Sequence, residues 1–407
     1  MPETTPATGP PPTDNNWRTT PTGQGAWQRF WHSDAGLNWR AAVVLGLISS
    51  TFSTIISQFL AARIGRDAIV DWMVVASIPV GDAALQITPT GPIILAGILF
   101  HQWADFSWEV FFFGLLGRWT ARLQPWTLML AAGPWALFTS AMEWLVLVPL
   151  FPFWQPIFPL EQPYWVGFLV HLASASTYPL FPGIRDWFGG QHHPHRRRFA
   201  LVWGALAIAG ALLCAVVTFL GAHEHELPWT GQDAARDQAY IRRMFTHHAQ
   251  GIAVAKIAAE RASDPHLRAL ARLMAAEQAG DSAIFDQWWR SWFPNPLQLC
   301  SPDEQAAMPG MLRPDQVEQL RQVPDADFDP LFVQLMRFHH AGAVEMADEE
   351  IHSLGDIRLR IMAQAIRHAQ QGEIEMMRGT SRLPAVRAAV LDLFSARITT
   401  ADTPVPP

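Results

Sequence analysis

The sequence predicts an all-α protein, a membrane helix bundle followed by an extracytoplasmic four-helix domain built from two helical hairpin repeats. Three observations carry this prediction. Long apolar runs fill residues 41–221, charge concentrates after residue 221, and a twin-histidine motif occurs twice at a fixed offset. Half of the 407 residues are hydrophobic, too many for one ordinary soluble domain in a chain long enough for two.

The apolar half is read first. Runs such as AAVVLGLISSTFSTIISQFLAA and ALVWGALAIAGALLCAVVTFLG are each long enough to cross a hydrocarbon core of about 30 Å as a helix. Helices close their backbone hydrogen bonds internally, as a chain crossing lipid must. Five spans are predicted, at residues 41–62, 93–117, 126–150, 165–183 and 199–221. Residues 68–87 are apolar too, but Asp71, Pro79 and Asp82 make them an interfacial or re-entrant piece rather than a sixth span.

Arginine placement gives the orientation, because positive charge beside span ends stays in the cytoplasm. Arg18, Arg29 and Arg40 precede the first span, Arg118 and Arg122 follow the second, and Arg185 with Arg196, Arg197 and Arg198 precede the fifth. Under five spans all fall on one side, with only Arg63 and Arg66 dissenting. The amino terminus is then cytoplasmic, in a cell or inner membrane, and residues after 221 are periplasmic or extracellular. The first forty residues lack an apolar stretch, so no cleavable signal is expected. Residues 1–39 read as a cytoplasmic tail, of which the Pro- and Thr-rich 1–24 cannot bury enough surface to order.

Residues 222–407 hold 25 of the 36 acidic groups and 18 of the 29 basic ones, and so carry the whole net charge of −7. Such a domain excludes nucleic acid as a partner and suits cations. Cys214 and Cys300 are the only cysteines, which supports neither a disulfide framework nor a thiolate zinc site. Nine of the fifteen histidines and nine of the thirteen methionines lie after residue 221.

MFTHHAQGIAVA aligns with MRFHHAGAVEMA so that Met244, His247 and His248 match Met336, His339 and His340, an offset of 92 residues. Gln278 and Asp281 match Gln370 and Glu373 at the same offset. Each unit therefore reads as a twin-histidine helix, a turn and a second helix. Ser263 or Asp264 caps the second helix of the first hairpin, with Pro265 at the position where a missing N–H costs nothing. Leu267, Leu270, Leu273 and Met274 follow at helical spacing. Residues 353–356 (SLGD) break the second hairpin, and a Pro-rich connector at about 292–326 joins the two, with a short helix after Pro314. Residues 222–233 read as a linker, 234–380 as the twin-histidine domain, and 381–407 as a C-terminal helix and tail.

On a helix, Met336, His339 and His340 sit at i, i+3 and i+4, and Met346 lies seven beyond His339. Gly251 and Ala343 continue that face with small side chains that leave room for an ion or a close neighbour. Imidazole with thioether selects soft or borderline metals, above all copper. The candidate set is Met244, His247, His248, Met336, His339, His340 and Met346, with Gln278, Asp281, Gln370 and Glu373 as further ligands or as acceptors that orient an imidazole. The competing reading packs the histidines structurally against the glutamines and acids. A di-iron carboxylate site is disfavoured, since such bundles use Glu-x-x-His where this chain has Met-x-x-His.

With the twin HH motifs, FDPLFVQLMRFHHAGAVEMA (328–347), the MPGM connector (308–311) and AQAIRHAQQGEIEMM (363–377), the outer half resembles the family called domain of unknown function 305, over about residues 230–380. The resemblance implies a ferritin-like helical fold and, since some members are linked to copper or silver, a metal-handling domain without a fixed reaction. The family pattern places Met seven residues after the first histidine; Met346 meets it, whereas the first repeat has Val254.

Within the apolar half, His101, Asp105 and Glu109 recur at i+4 on the second span, with Glu143 on the third and His171 on the fourth. Ionisable groups in a membrane mark a pathway, a relay or a cofactor. A proton or metal path and a haem held between His101 and His171 both stay open, as does pairing among these groups. The acidic linker AHEHE (222–226) collects cations or is simply solvated, and the arginines beside QHHPH (191–195) oppose metal binding there. No nucleotide loop, dinucleotide fingerprint or catalytic triad order is present. Three functions remain: a membrane-anchored copper-binding protein, a metal or proton transporter or oxidoreductase component, and a helical interaction module. Whether it is an enzyme stays open, and assembly into a homo-oligomer is compatible with each.

Overall fold

The computed structural model describes residues 30–31, 33–150, 156–229 and 234–403, and among them the chain is helical without a strand. The disorder expected for residues 1–24 lies outside the described residues. Helix α1 (Asp34–Leu60) opens under a Ser33 cap whose Oγ accepts from the Gly36 N–H. Residues 34–39, read from sequence as tail, are its first turns. Helix α2 (Ala68–Val80) rises only ~20 Å, too short to span a bilayer. It starts on an Asp67 cap, contains Pro79, and ends at Gly81.

Helix α3 (Gly91–Glu109) continues through a π-helical turn at Val110–Leu115, and α4 (Pro125–Met142) through another at Glu143–Leu147. Both π turns adjoin an acid of the membrane polar set, Glu109 and Glu143, and such turns concentrate at functional positions. A short α5 (Ile157–Glu161) leads into α6 (Tyr164–Ala175), α7 (Phe181–Phe188) and the long α8 (Pro194–Ala222).

Three stretches are long and apolar enough to cross a membrane: Asp34–Ile64, Pro125–Leu150 and Pro194–Ala222. The five-span expectation is thus met at three positions by length and composition. His101, Gln102, Asp105 and Glu109 dilute the hydropathy of α3, and α6 stops at Ala175 after 12 residues. On α8, Leu201, Leu206, Ile208, Leu212, Leu213 and Phe219 are all exposed, a continuous apolar face that water would not tolerate on a monomer.

The outer bundle pairs α9 (Ala234–Arg261) with α10 (Pro265–Trp292), and α13 (Asp325–Ile351) with α14 (Ile357–Met377). Of the two caps read from sequence it is Asp264 that accepts from the His266 N–H, with Pro265 at the first helical position; in the second hairpin Asp356, at the end of the break, accepts from the Arg358 N–H. The connector contains α11 (Pro302–Ala306) and α12 (Pro314–Gln322), the short helix expected after Pro314, which begins on that proline; α15 (Arg382–Asp392) is the last α-helix among the described residues.

Apolar packing divides the bundle into two halves. One holds Val254, Leu270, Leu273, Phe332, Leu335, Met336 and Met376; the other holds Ile241, Met244, Phe285, Trp288, Met346, Leu359 and Met362. Between them, at mid-height on every long helix, lie the buried polar residues His247, His248, Gln278, Asp281, His339, His340, Gln370 and Glu373.

The first apolar half is not self-contained. Val70, Met73, Val74 and Leu85 of the α2 region, with Ile157 and Leu160 of α5, belong to the same packed cluster. Polar contacts tie the joint further: the Arg272 guanidinium donates to the Leu85 carbonyl at 2.8 Å, His368 donates to that of Pro159 at 3.1 Å, and His266 lies 3.0 Å from Asp82. Gly65, at φ 76°, turns the chain directly against Met362, where a Cβ would meet that side chain at 2.4 Å. Arg63 and Arg66, which dissented from the charge pattern, are held by partners at this joint. Arg63 sits 2.8 Å from Glu226, and Arg66 forks onto Asp71 at 2.7 and 3.1 Å.

Glu226 also contacts Arg358, so the AHEHE segment is neither a cation collector nor a solvated linker at this residue. It is a buried acid between two buried guanidinium groups.

Candidate metal centre

The repeat places two histidines of α9 opposite two of α13, because equivalent positions on antiparallel-paired hairpins meet at the same height. The His247 and His339 rings lie with centroids 3.8 Å apart, and all four imidazoles are buried. His339 donates through Nε2 to the His247 carbonyl at 3.2 Å. The second ring of each repeat meets the acid of its own hairpin: His248 Nε2 is 3.2 Å from Asp281 Oδ2, and His340 Nε2 is 2.6 Å from Glu373 Oε2. The second approach is close but not aligned as a hydrogen bond, so both His340 nitrogens and both Glu373 oxygens lack a hydrogen-bond partner.

Gly251 is small for the reason the sequence suggested. A Cβ there would stand 2.1 Å from Gln278 Oε1 and 2.9 Å from His339 Cε1. The layer is dense in buried polar atoms without partners: both nitrogens of His247, Nδ1 of His248 and His339, both side-chain atoms of Gln278, and Gln370 Oε1. Burial first, and the neighbouring histidines second, hold His247, His339 and His340 well below the usual histidine range, so they are neutral.

The predicted thioethers are buried but divided. Met244 and Met346 flank the layer from one apolar half and Met336 from the other, Met244 and Met336 one turn and Met346 about two turns from a twin histidine on its own helix.

Sequence reasoning missed two carboxylates. Glu161, Glu277 and Glu373 bring oxygen atoms within 4.8 Å of one another. Burial, then the charge of Glu277, pushes Glu161 and Glu373 well above the usual carboxylate range; burial and then Asp281 push Glu277 to about 7. Glu277 falls outside the repeat, since its 92-residue counterpart is Ala369. Glu161 had one visible signal, as the single charged residue between positions 151 and 165. Carboxylates are therefore more abundant beside the histidines than the Met-x-x-His pattern alone allows.

The membrane polar residues also come together. His171 lies 3.0 Å from Glu143 and 3.6 Å from Asp105, while His101 lies 3.5 Å from Asp105. Ser53 bridges His101 and Asp105, Trp108 donates to Glu143 at 2.6 Å, and Ser174 donates to Glu109 at 2.7 Å. Both imidazoles contact the same Asp105 carboxylate, the pairing among these groups that the sequence left open beside a haem and an ion path. His101 and Glu143 further line a cavity of about 610 Å³ walled by Phe100, Trp103, Trp108 and Phe111.

Residues 237–381 match the family described as Domain of unknown function (DUF305). A DUF305 fragment from Deinococcus radiodurans is 26% identical, with 37% of this chain and 96% of that chain covered at a TM-score of 0.34. A DUF305 protein from Streptomyces coelicolor is 26% identical, covering 36% of this chain and 94% of its own at 0.32. CopM in the Cu(I)-bound form is 27% identical, covering 35% of this chain and 93% of its own at 0.29. No curated protein matches the chain.

Proposed function

We propose that the chain is a membrane-anchored extracytoplasmic metal-binding protein, and that the mid-height layer of its DUF305 bundle binds copper for tolerance or homeostasis. The supporting observation is the set of buried imidazole nitrogens on His247, His248, His339 and His340 that no protein group satisfies. Buried polar atoms in native folds are nearly always paired, with protein or with a ligand. Neutral imidazole is the form that binds a transition metal, and burial keeps the His247, His339 and His340 rings neutral.

The donor set fits copper as cargo. Imidazoles of the layer, His247 and His339 foremost, would hold the ion, and Met244, Met336 and Met346 would offer thioethers from above and below the layer. Gln278, Asp281, Gln370 and Glu373 would orient rings or complete the shell. In this reading the amino terminus is cytoplasmic and the bundle faces the periplasm or exterior.

The test is competition titration of the full chain in detergent with Cu(I), beside the double variants His339→Ala/His340→Ala and His247→Ala/His248→Ala. Loss of high-affinity copper in both, with helicity retained, is expected. Copper affinity equal to wild type in two folded variants would reject the reading.

A second reading, a metal or proton transporter or an oxidoreductase component, is favoured by the joined network of His101, Asp105, Glu143 and His171. It predicts ion flux in proteoliposomes that Asp105→Asn abolishes; a binding protein would show none.

A further inference from the structure

Glu161 and Glu277 have no part in the copper reading, yet both stand beside Glu373. Glu277 and Glu373 come from α10 and α14, whereas Glu161 comes from α5, which is joined to α4 and α6 and lies outside the matched residues 237–381. Three buried carboxyls within 4.8 Å of one another cannot ionise together unless a cation neutralises their charge. The nearby arginine does not do so: Arg66 is committed to Asp71 through both Nε and an Nη, and Gln162 donates to the same carboxylate at 2.6 Å. Among the described residues no arginine or lysine is ion-paired with any of the three.

A second, independent observation points the cluster at a ligand. His340 is fully buried, neither of its ring nitrogens is hydrogen-bonded, and its Nε2 lies 2.6 Å from Glu373 Oε2. Both oxygens of Glu161 and of Glu373 are likewise without hydrogen-bond partners.

We propose that Glu161, Glu277 and Glu373, with the His340 imidazole beside them, form a second cation site that takes a divalent first-row ion of manganese(II) type. Oxygen-rich donors with one imidazole favour such ions and disfavour Cu(I), which sets this site apart from the histidine layer. Its third carboxylate exists only when the bundle is docked on α5. Gly372 makes that docking close, since a Cβ there would stand 2.1 Å from the Leu160 carbonyl oxygen. The ion therefore staples the outer bundle to the segment that joins two of the apolar helices.

The experiment titrates the full chain in detergent with Mn(II), read by loss of the free-ion electron paramagnetic resonance signal, beside Glu161→Gln and Glu277→Gln. Both substitutions relieve repulsion without changing side-chain size, and circular dichroism checks their folding. One manganese per chain, with affinity at least about tenfold weaker in each variant, is the expected result. Cu(I) titration of Glu161→Gln should match wild type, so loss of the copper reading and loss of this one are separate outcomes. No manganese bound by wild type, or equal binding by wild type and Glu161→Gln, overturns the proposal.

Discussion

His340 Nε2 stands 2.6 Å from Glu373 Oε2, both side chains are fully buried, and the contact is not a hydrogen bond. A histidine held neutral and a carboxyl pushed up by burial leave this pair with little mutual attraction in the metal-free protein. Glu373→Gln should therefore leave the metal-free melting temperature equal to or above wild type, while weakening Mn(II) binding. A large loss of metal-free stability would mean that the pair is structural.

Gly251 permits the approach of Gln278 and His339 across the bundle. Gly251→Ala should cost about 1–3 kcal/mol by overpacking and shift the melting temperature downward. Copper affinity should fall with it, because the displaced groups belong to the histidine layer. An unchanged melt would show that Gln278 moves freely.

Glu226 lies between Arg63 and Arg358, with all three side chains nearly inaccessible. Glu226→Gln leaves two buried guanidinium groups short of a counter-charge, a loss of roughly 3–5 kcal/mol for a buried pair. Limited proteolysis near residues 222–233 should accelerate. Protection equal to wild type would contradict a clamp at this position.

Burial pushes the Glu350 carboxyl to about 7 from its ordinary value of 4.5, with Ser353 accepted as a hydrogen-bond donor and Asp237 adding repulsion. The folded chain keeps a proton that the unfolded chain has lost over this window. This group's contribution to stability therefore falls as pH rises from about 4.5 to 7 and is level above that. Glu350→Gln should gain more over wild type at pH 8 than at pH 5 in thermal melts. Equal gains at both would remove the assignment.

An isolated fragment of residues 228–398 loses the cover that Val70, Met73, Leu85, Ile157 and Leu160 give its apolar half. It should self-associate or melt well below the full chain, as exposed apolar patches of this kind do. A monodisperse fragment as stable as the full protein would show that the joint contributes little.

The helical hairpins were legible in the sequence because period, caps and the 92-residue offset are local properties. Asp264 caps with Pro265, and the break at residues 353–356 ends, where those signals put them. The twin histidines were legible as a repeated motif for the same reason, and the match of residues 237–381 to DUF305 agrees with the resemblance read from their motifs. Glu161 was not, because only long-range packing brings α5 against α14. Arg63 and Arg66 looked like exceptions to the charge rule until their partners Glu226 and Asp71 were placed. The separation of Met336 from Met244 and Met346 also escaped notice, since a shared helix face says nothing about height along a bundle.

The shared core also has a temporal consequence. Residues 70–85 and 157–160, which complete the first apolar half, precede the bundle in the chain and leave the ribosome before it. The earlier segments can be seated at the bilayer before α9 is made, and they offer a ready surface for the hairpins to condense on. The slow, long-range step of folding then becomes docking onto a finished template, and exposure of the bundle's apolar side to other chains is short.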